Sequence, residues 1–241
     1  MVIGGLSKEK INDPMYSLTK HNPYFTIKTE FINNSAHIPT GFFDHPGISV
    51  EVLMRKLILF MLISLDGFYE GPGHSLDWHN VDAEFNEFAN AQVDSVDMLL
   101  FGRVTYEMMA AFWPTPSAAA DDPVTAEAMN RLPKIVFSRT LPSADWQNTR
   151  LVKDNILEQV TKLKKQPGKD LIIFGSSDLS VTLIWHGLID EFRIMLNPVA
   201  LGEGKSLFKG LPGRLDLELI NARTFKSGNV LLYYRPKGKP I

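Results

Sequence analysis

Cysteine is absent from the 241 residues. That removes a disulfide framework, a thiolate nucleophile and any cysteine-ligated metal, and it permits a reducing compartment without requiring one. Long apolar runs are missing too. The longest, Leu57 to Leu65, is interrupted by Ser64 and falls far short of the roughly 20 residues a membrane-spanning helix needs. No basic start leads into an apolar core with a small-residue cleavage site, so no secretory signal is expected and the cytoplasm is the default location. Neither charge is in excess: 25 Lys and Arg stand against 27 Asp and Glu, a formal net charge of -2. Such a balance gives no general electrostatic reason to bind a polyanion, so neither nucleic acid nor a membrane is expected as a partner.

Several catalytic signatures are also lacking. Gly202-Glu203-Gly204-Lys205-Ser206 resembles the end of a phosphate-binding P-loop, but that motif needs glycine five residues before Gly204, where Val199 stands. Gly71-Pro72-Gly73 lacks the third glycine of a dinucleotide fingerprint. There is no Gly-x-Ser-x-Gly elbow for serine hydrolysis. His74, Asp77 and His79 do not have the spacing of a metal site, and no metal is expected.

What remains is a composition of 44% hydrophobic and 22% charged residues, which fits one large globular domain or one domain with an appendage. Residues 1–53 scatter Asn, Pro, Gly and single aromatics with no sustained period, so little regular structure is expected there. This irregular stretch reads either as an upstream extension foreign to the natural protein or as a genuine, loosely docked arm. At Met54 the pattern changes abruptly, and Leu57 to Ile63 is an unbroken apolar run that suits a strand buried on both faces. Apolar runs recur at Met98–Phe101, Lys134–Phe137, Leu171–Phe174 and Phe192–Leu196, mostly separated by segments of helical spacing. This alternation predicts a largely parallel sheet with helices on both faces over residues 54–241. One helix begins at Asn155 as cap, with Ile156, Val160 and Leu163 as its apolar stripe; another runs from a Ser177 cap to His186 and stops at Gly187. Leu215–Phe225 and Val230–Arg235 flank Lys226-Ser227-Gly228-Asn229, the pattern of an antiparallel hairpin at the edge of the sheet.

In open α/β sheets ligands bind beyond the carboxyl ends of the strands. The residues just after the apolar runs are Ser64-Leu65-Asp66-Gly67, Gly102-Arg103-Val104-Thr105, Ser138-Arg139-Thr140 and Gly175-Ser176-Ser177. Small, hydroxyl and cationic side chains therefore converge on one rim. Gly102 allows close approach of an anion, and Thr105 with the free amides of the helix it opens can donate to phosphate oxygens. Gly175-Ser176-Ser177 repeats that arrangement, and two anion sites suit a pyrophosphate. Arg103 and Arg139 together can hold a further phosphate, the feature that separates NADPH from NADH, although either arginine taken alone reads first as a solvated surface residue.

These segments, joined by Trp78, by Leu99-Leu100-Phe101 ahead of Gly102, by Ile135-Val136-Phe137 ahead of Ser138, and by Gly187-Leu188-Ile189-Asp190-Glu191 and Pro198-Val199-Ala200-Leu201-Gly202-Glu203-Gly204, occur in the order seen in dihydrofolate-reductase-like proteins. Over nearly all of 54–241 the chain resembles the stand-alone bacterial relatives of the C-terminal reductase domain of the riboflavin-biosynthesis protein RibD. The resemblance implies a dihydrofolate-reductase-like three-layer α/β fold and a homodimer. It also implies NADPH bound by Gly102, Arg103 and Thr105, by Ser138 and Arg139, and by Gly175, Ser176 and Ser177.

The substrate end follows from the same resemblance. Asp66 matches an aspartate that lies near the substrate in riboflavin-type reductases, while Glu84 and Phe88 repeat the acid and aromatic pairing with which dihydrofolate reductases hold a pterin, and Trp78 precedes them. Were Glu84 to face an apolar pocket, desolvation would raise its pKa and suit it to proton delivery. Tyr106–Pro114 departs from the biosynthetic riboflavin enzymes, which carry an Asp-Pro-x-Leu run there with a nearby arginine, and this puts a phosphoribosyl substrate in doubt. In that stretch Met108, Met109, Phe112 and Trp113 line either an apolar pocket or the helix core. The expected activity is hydride transfer from NADPH to a small polar heterocycle or sugar-linked imine, in riboflavin or folate metabolism, with Asp66 and Glu84 orienting or protonating it. The alternative is a nucleotide-binding regulatory or scaffold protein that kept the fold and lost catalysis.

Overall fold

In the computed structural model of the chain, residues 54–238 are described in full, together with the backbone of three short strands ahead of them. Contacts separate Met1–Met54 from Arg55–Ile241 as two compact units. In the first unit, β1 (Ser17–Lys20), β2 (Phe25–Lys28) and β3 (Ile48–Glu51) lie side by side, β1 antiparallel and β3 parallel to β2. The sequence predicts little regular structure here, and the reason it is silent is length: four residues are too few for a period of two to stand out.

The second unit is built on β4 (Leu57–Ser64), β6 (Val96–Gly102), β7 (Lys134–Phe137), β8 (Thr149–Val152), β9 (Asp170–Phe174), β10 (Glu191–Asn197), β12 (Leu217–Thr224) and β13 (Val230–Pro236). Their order across the sheet is β12-β13-β10-β4-β9-β6-β7-β8. From β10 to β8 all neighbours are parallel, and β13 and β12 close one edge as an antiparallel hairpin. A two-stranded ribbon, β5 (Phe68–Glu70) with β11 (Lys205–Ser206), stands apart.

Alternation along β4 shows why helices cover both faces. Leu57, Leu59 and Met61 pack with α5 (Ile156–Lys164) and α6 (Ser177–Trp185) through Val160, Leu163, Leu179 and Leu183. Ile58 and Phe60 point the other way, toward α1 (Ala83–Asp94), α2 (Arg103–Phe112) and α4 (Pro123–Arg131), meeting Phe88, Tyr106 and Met129. Leu57, Ile58 and Leu59 are fully buried, each worth roughly 1.5–3 kcal/mol of hydrophobic stabilisation. A short helix, α3 (Pro116–Asp121), joins α2 to α4. The fold is α/β with three layers, as the alternation of strand and helix patterns predicts.

Two helix starts differ from expectation. Asn155 does occupy the cap of α5, but in the left-handed region, φ 56°, and its side chain makes no capping bond. The cap of α6 is Ser176, one residue earlier than expected, which frees the Ser177 hydroxyl for another partner. Gly187 ends that helix as expected, at φ 65°, with Leu188 N–H donating to Leu183. Among the described residues no helix is long and apolar enough to cross a membrane.

Candidate functional site

The tips of β6 and β9 are neighbours in the sheet, and each opens a helix that no side chain caps. Uncapped first-turn amides carry the positive end of the helix dipole. Side chains join the two tips directly: the Gly102 amide donates to Ser176 Oγ at 2.8 Å, and the Ser176 amide donates to Thr105 Oγ1 at 3.1 Å. Gly175 and Ser176 both lie in the left-handed region, at φ 64° and 59°. Gly102, at φ -81° and ψ 166°, needs no such freedom. A Cβ there would already be in ordinary contact with the Ser176 and Leu179 side chains, at 3.5 and 3.7 Å.

The β7 tip completes the rim, because Gly102 pairs with Phe137 and Ser138 follows. Ser138 Oγ accepts from the amides of Thr140 at 3.2 Å and Leu141 at 2.9 Å, so this hydroxyl shapes the turn that carries Arg139. Arg139 is 84% exposed and its nearest carboxylate, Asp154, is 3.9 Å away. Arg103 is held by Glu107 at 2.8 Å on its own helix. Exposed pairs of that kind contribute little, typically below about 1 kcal/mol, so either guanidinium is available to a phosphate. The strand tips thus bring Gly102, Arg103, Thr105, Ser138, Arg139, Gly175, Ser176 and Ser177 to one end of the sheet.

The residues expected at the substrate end are placed differently. Asp66 is engaged: Ser64 Oγ donates to it at 2.6 Å, and the amides of Leu201 and Gly202 donate at 3.0 and 2.7 Å. The Ser64 hydroxyl first, and then the Gly202 amide, hold its carboxyl down at about 2. Glu84 accepts from the Lys226 amide at 2.9 Å and from Arg223 at 3.0 Å, which lowers its pKa rather than raising it. The apolar setting considered for Glu84 is therefore not what the structure shows. Phe88 is 7% exposed and locked between Phe60 and Phe225, at centroid distances of 5.7 and 6.0 Å. It is a core ring, and the half-buried ring beside it is Phe85. Trp78 donates through Nε1 to Ser75 O at 3.1 Å and packs edge-on against His79, within its own loop. On α2 the apolar cluster divides, Met108 and Phe112 facing solvent while Met109 and Trp113 pack inward.

Sequence patterns did not single out Tyr69, Lys205, Asn80, Asn197 or Asn229. Ser177 Oγ donates to Tyr69 Oη at 2.9 Å, and Lys205 Nζ lies 2.7 Å from Glu70 on the adjacent strand. Asn80 donates from its amide to Asn197 and from its side chain to Ser227, while Asn229 donates to Asn80, tying the loop before α1 to the β12–β13 turn. A tyrosine two residues beyond a strand-tip glycine was the one available signal. Among the described residues no group of His, Asp and Glu is arranged to hold a metal ion.

Comparison with known proteins places these features. The family model of the RibD C-terminal domain matches residues 55–231. The uncharacterised protein YyaP of Bacillus subtilis strain 168 is 40% identical over 190 residues, covering 76% of this chain and 96% of YyaP. A Shewanella sp. PV-4 protein assigned to riboflavin biosynthesis is structurally similar, with a TM-score of 0.60 and 25% identity over 76% of this chain and 99% of that one. The dihydrofolate reductase of Enterococcus faecalis, solved with NADP(H), shares the fold with a TM-score of 0.52 and 16% identity, over 76% of this chain and 97% of its own.

Proposed function

The chain belongs to the RibD C-terminal domain family, and from that membership we propose that it binds NADPH across the tips of β9, β6 and β7 and reduces a small polar heterocycle or sugar-linked imine. The observation that carries this reading is the mutual bond between the two uncapped helix starts, Gly102 N–H to Ser176 Oγ at 2.8 Å and Ser176 N–H to Thr105 Oγ1 at 3.1 Å. Two positive helix ends held this close suit the two charges of a pyrophosphate. Arg139, barely engaged, and Arg103, on an exposed pair, suit the additional phosphate of NADPH. When bound, such a cofactor supplies a hydride. The protein's share is to hold it, orient the acceptor and exclude water.

The test compares the thermal shift given by NADPH with that given by NADH, in wild type and in Arg103→Ala and Arg139→Ala. A shift of several degrees with NADPH, smaller with NADH and reduced in both variants, is expected. An equal response to the two nucleotides removes the phosphate clamp. A second reading, a binding module without catalysis, is favoured by the engagement of Asp66 and Glu84. Tight NADPH binding with no oxidation across pterins, dihydrofolate and aminouracil ribosides would select it. The assembly that goes with the reductase reading is a homodimer in the cytoplasm.

A further inference from the structure

A reduced carbonyl or imine needs a proton as well as a hydride, and neither carboxylate expected to supply one is free to do so. Asp66 is bonded to Ser64, Leu201 and Gly202, and Glu84 to Lys226 and Arg223. Acids held so firmly in their charged form are poor proton donors near neutral pH.

The topology shows where to look instead. The chain leaves β4 for α1 on one face of the sheet and leaves the adjacent β9 for α6 on the other. The crevice between those two tips is the switch point at which open α/β sheets receive their ligands. One hydroxyl pair bridges it. Tyr69, on β5 just past the β4 tip, accepts from Ser177 Oγ, at the first residue of α6, at 2.9 Å. The Tyr69 ring is half-buried, and among the described residues its own phenolic proton has no acceptor.

We propose that Tyr69 is the proton donor of the reduction, with Ser177 fixing the direction of its hydroxyl. This inference rests on the NADPH-dependent reductase reading. In the step, the acceptor carbon of a C=O or C=N bond takes the hydride and its two electrons from the dihydronicotinamide, which is left oxidised. The π electron pair moves to the oxygen or nitrogen, and that atom takes the proton from Tyr69 Oη. The phenolate recovers a proton through Ser177, which is replenished from solvent.

Tyr69→Phe removes a single oxygen and keeps the ring. It is expected to retain the full NADPH thermal shift of wild type while NADPH oxidation, measured over pterins, dihydrofolate and aminouracil ribosides, falls by about 100-fold or more. Wild type is expected to show a solvent deuterium isotope effect on kcat, and Tyr69→His, which again carries a proton, is expected to recover part of the rate. Wild-type turnover in Tyr69→Phe overturns the proposal and leaves the reductase reading intact. Loss of the NADPH shift in that variant also overturns it, since Tyr69 would then act by holding the cofactor. A wild-type protein that binds NADPH but oxidises it with no member of the panel, or that fails to bind it, overturns this proposal together with the reading it rests on.

Discussion

Asp66 is held beyond the β4 tip by the Ser64 hydroxyl and by the amides of Leu201 and Gly202. Its position beyond the β4 tip follows from the sequence, because a buried apolar run ending in Ser-Leu-Asp-Gly leaves few other conformations. Its partners Leu201 and Gly202 lie 135 and 136 residues away, and those of Glu84 lie 139 and 142 away, distances over which local pattern carries no information. Because folding lowers the Asp66 carboxyl from its ordinary 3.8 to about 2, the unfolded chain takes up the proton first. The stabilisation is therefore fully present above 3.8 and lost as the pH falls through about 2. Asp66→Asn is expected to melt below wild type near neutral pH, and the gap should close on acidification to that value. Melting curves from about pH 6 downward check this, and a gap that stays constant would show the bonds to be indifferent to the charge. Lys134 was equally hidden. At the head of an expected apolar run, it is 1% exposed, donates to the carbonyls of Met129, Asn130 and Leu132 at the end of α4, and sits 4.5 Å from the Trp146 ring centroid. Desolvation lowers its pKa to about 8.

At the scale of elements, what could be read was what buries many apolar atoms in sequence. The runs behind β4, β6, β7, β9 and β10 are unmistakable, and β7 spans the residues expected, Lys134–Phe137. The edge strand β8 offers only Thr-Arg-Leu-Val, and α4 buries small residues such as Thr125, Ala126 and Ala128, which carry little hydrophobic signal. The β5–β11 ribbon is too short for any period, although it carries both Tyr69 and Lys205. Its geometry depends on Gly204, at φ 155°, where a Cβ would collide with the Glu70 carbonyl oxygen and approach the Phe68 side chain to 3.1 Å. Gly204→Ala is expected to destabilise by about 1–3 kcal/mol, through backbone strain and the clash together. Gly202→Ala, also left-handed at φ 77° but with open space around it, should cost less. Urea unfolding of the two variants measures the difference, and equal losses would show that the ribbon yields rather than clashes.

At the scale of the whole molecule, alternating strands and helices announce a parallel sheet but leave its order open, since nothing periodic tells β9 to insert between β4 and β6. That order matters because it makes the switch point, and only the assembled sheet displays it. The two edges of the sheet also differ in a way only the assembled structure displays. At one, β8 is four residues long; at the other, β12 runs for eight. Monomeric sheet proteins protect a long edge with lysine, proline or a bulge. β12 contains no lysine or proline, has one bulge near Ile220, and leaves Leu219 and Ile220 each 52% exposed. Antiparallel pairing of this edge with its copy about an axis between Ile220 and Asn221 would set Leu219 against Ala222 and Ile220 against Asn221 of the second copy, covering the two exposed apolar side chains. Light scattering is expected to give twice the chain mass for wild type, and the Leu219→Lys, Ile220→Lys double substitution is expected to give a monomer that keeps its NADPH thermal shift. A monomeric wild type would remove the homodimer, and a dimer indifferent to the two lysines would move its interface elsewhere on the molecule.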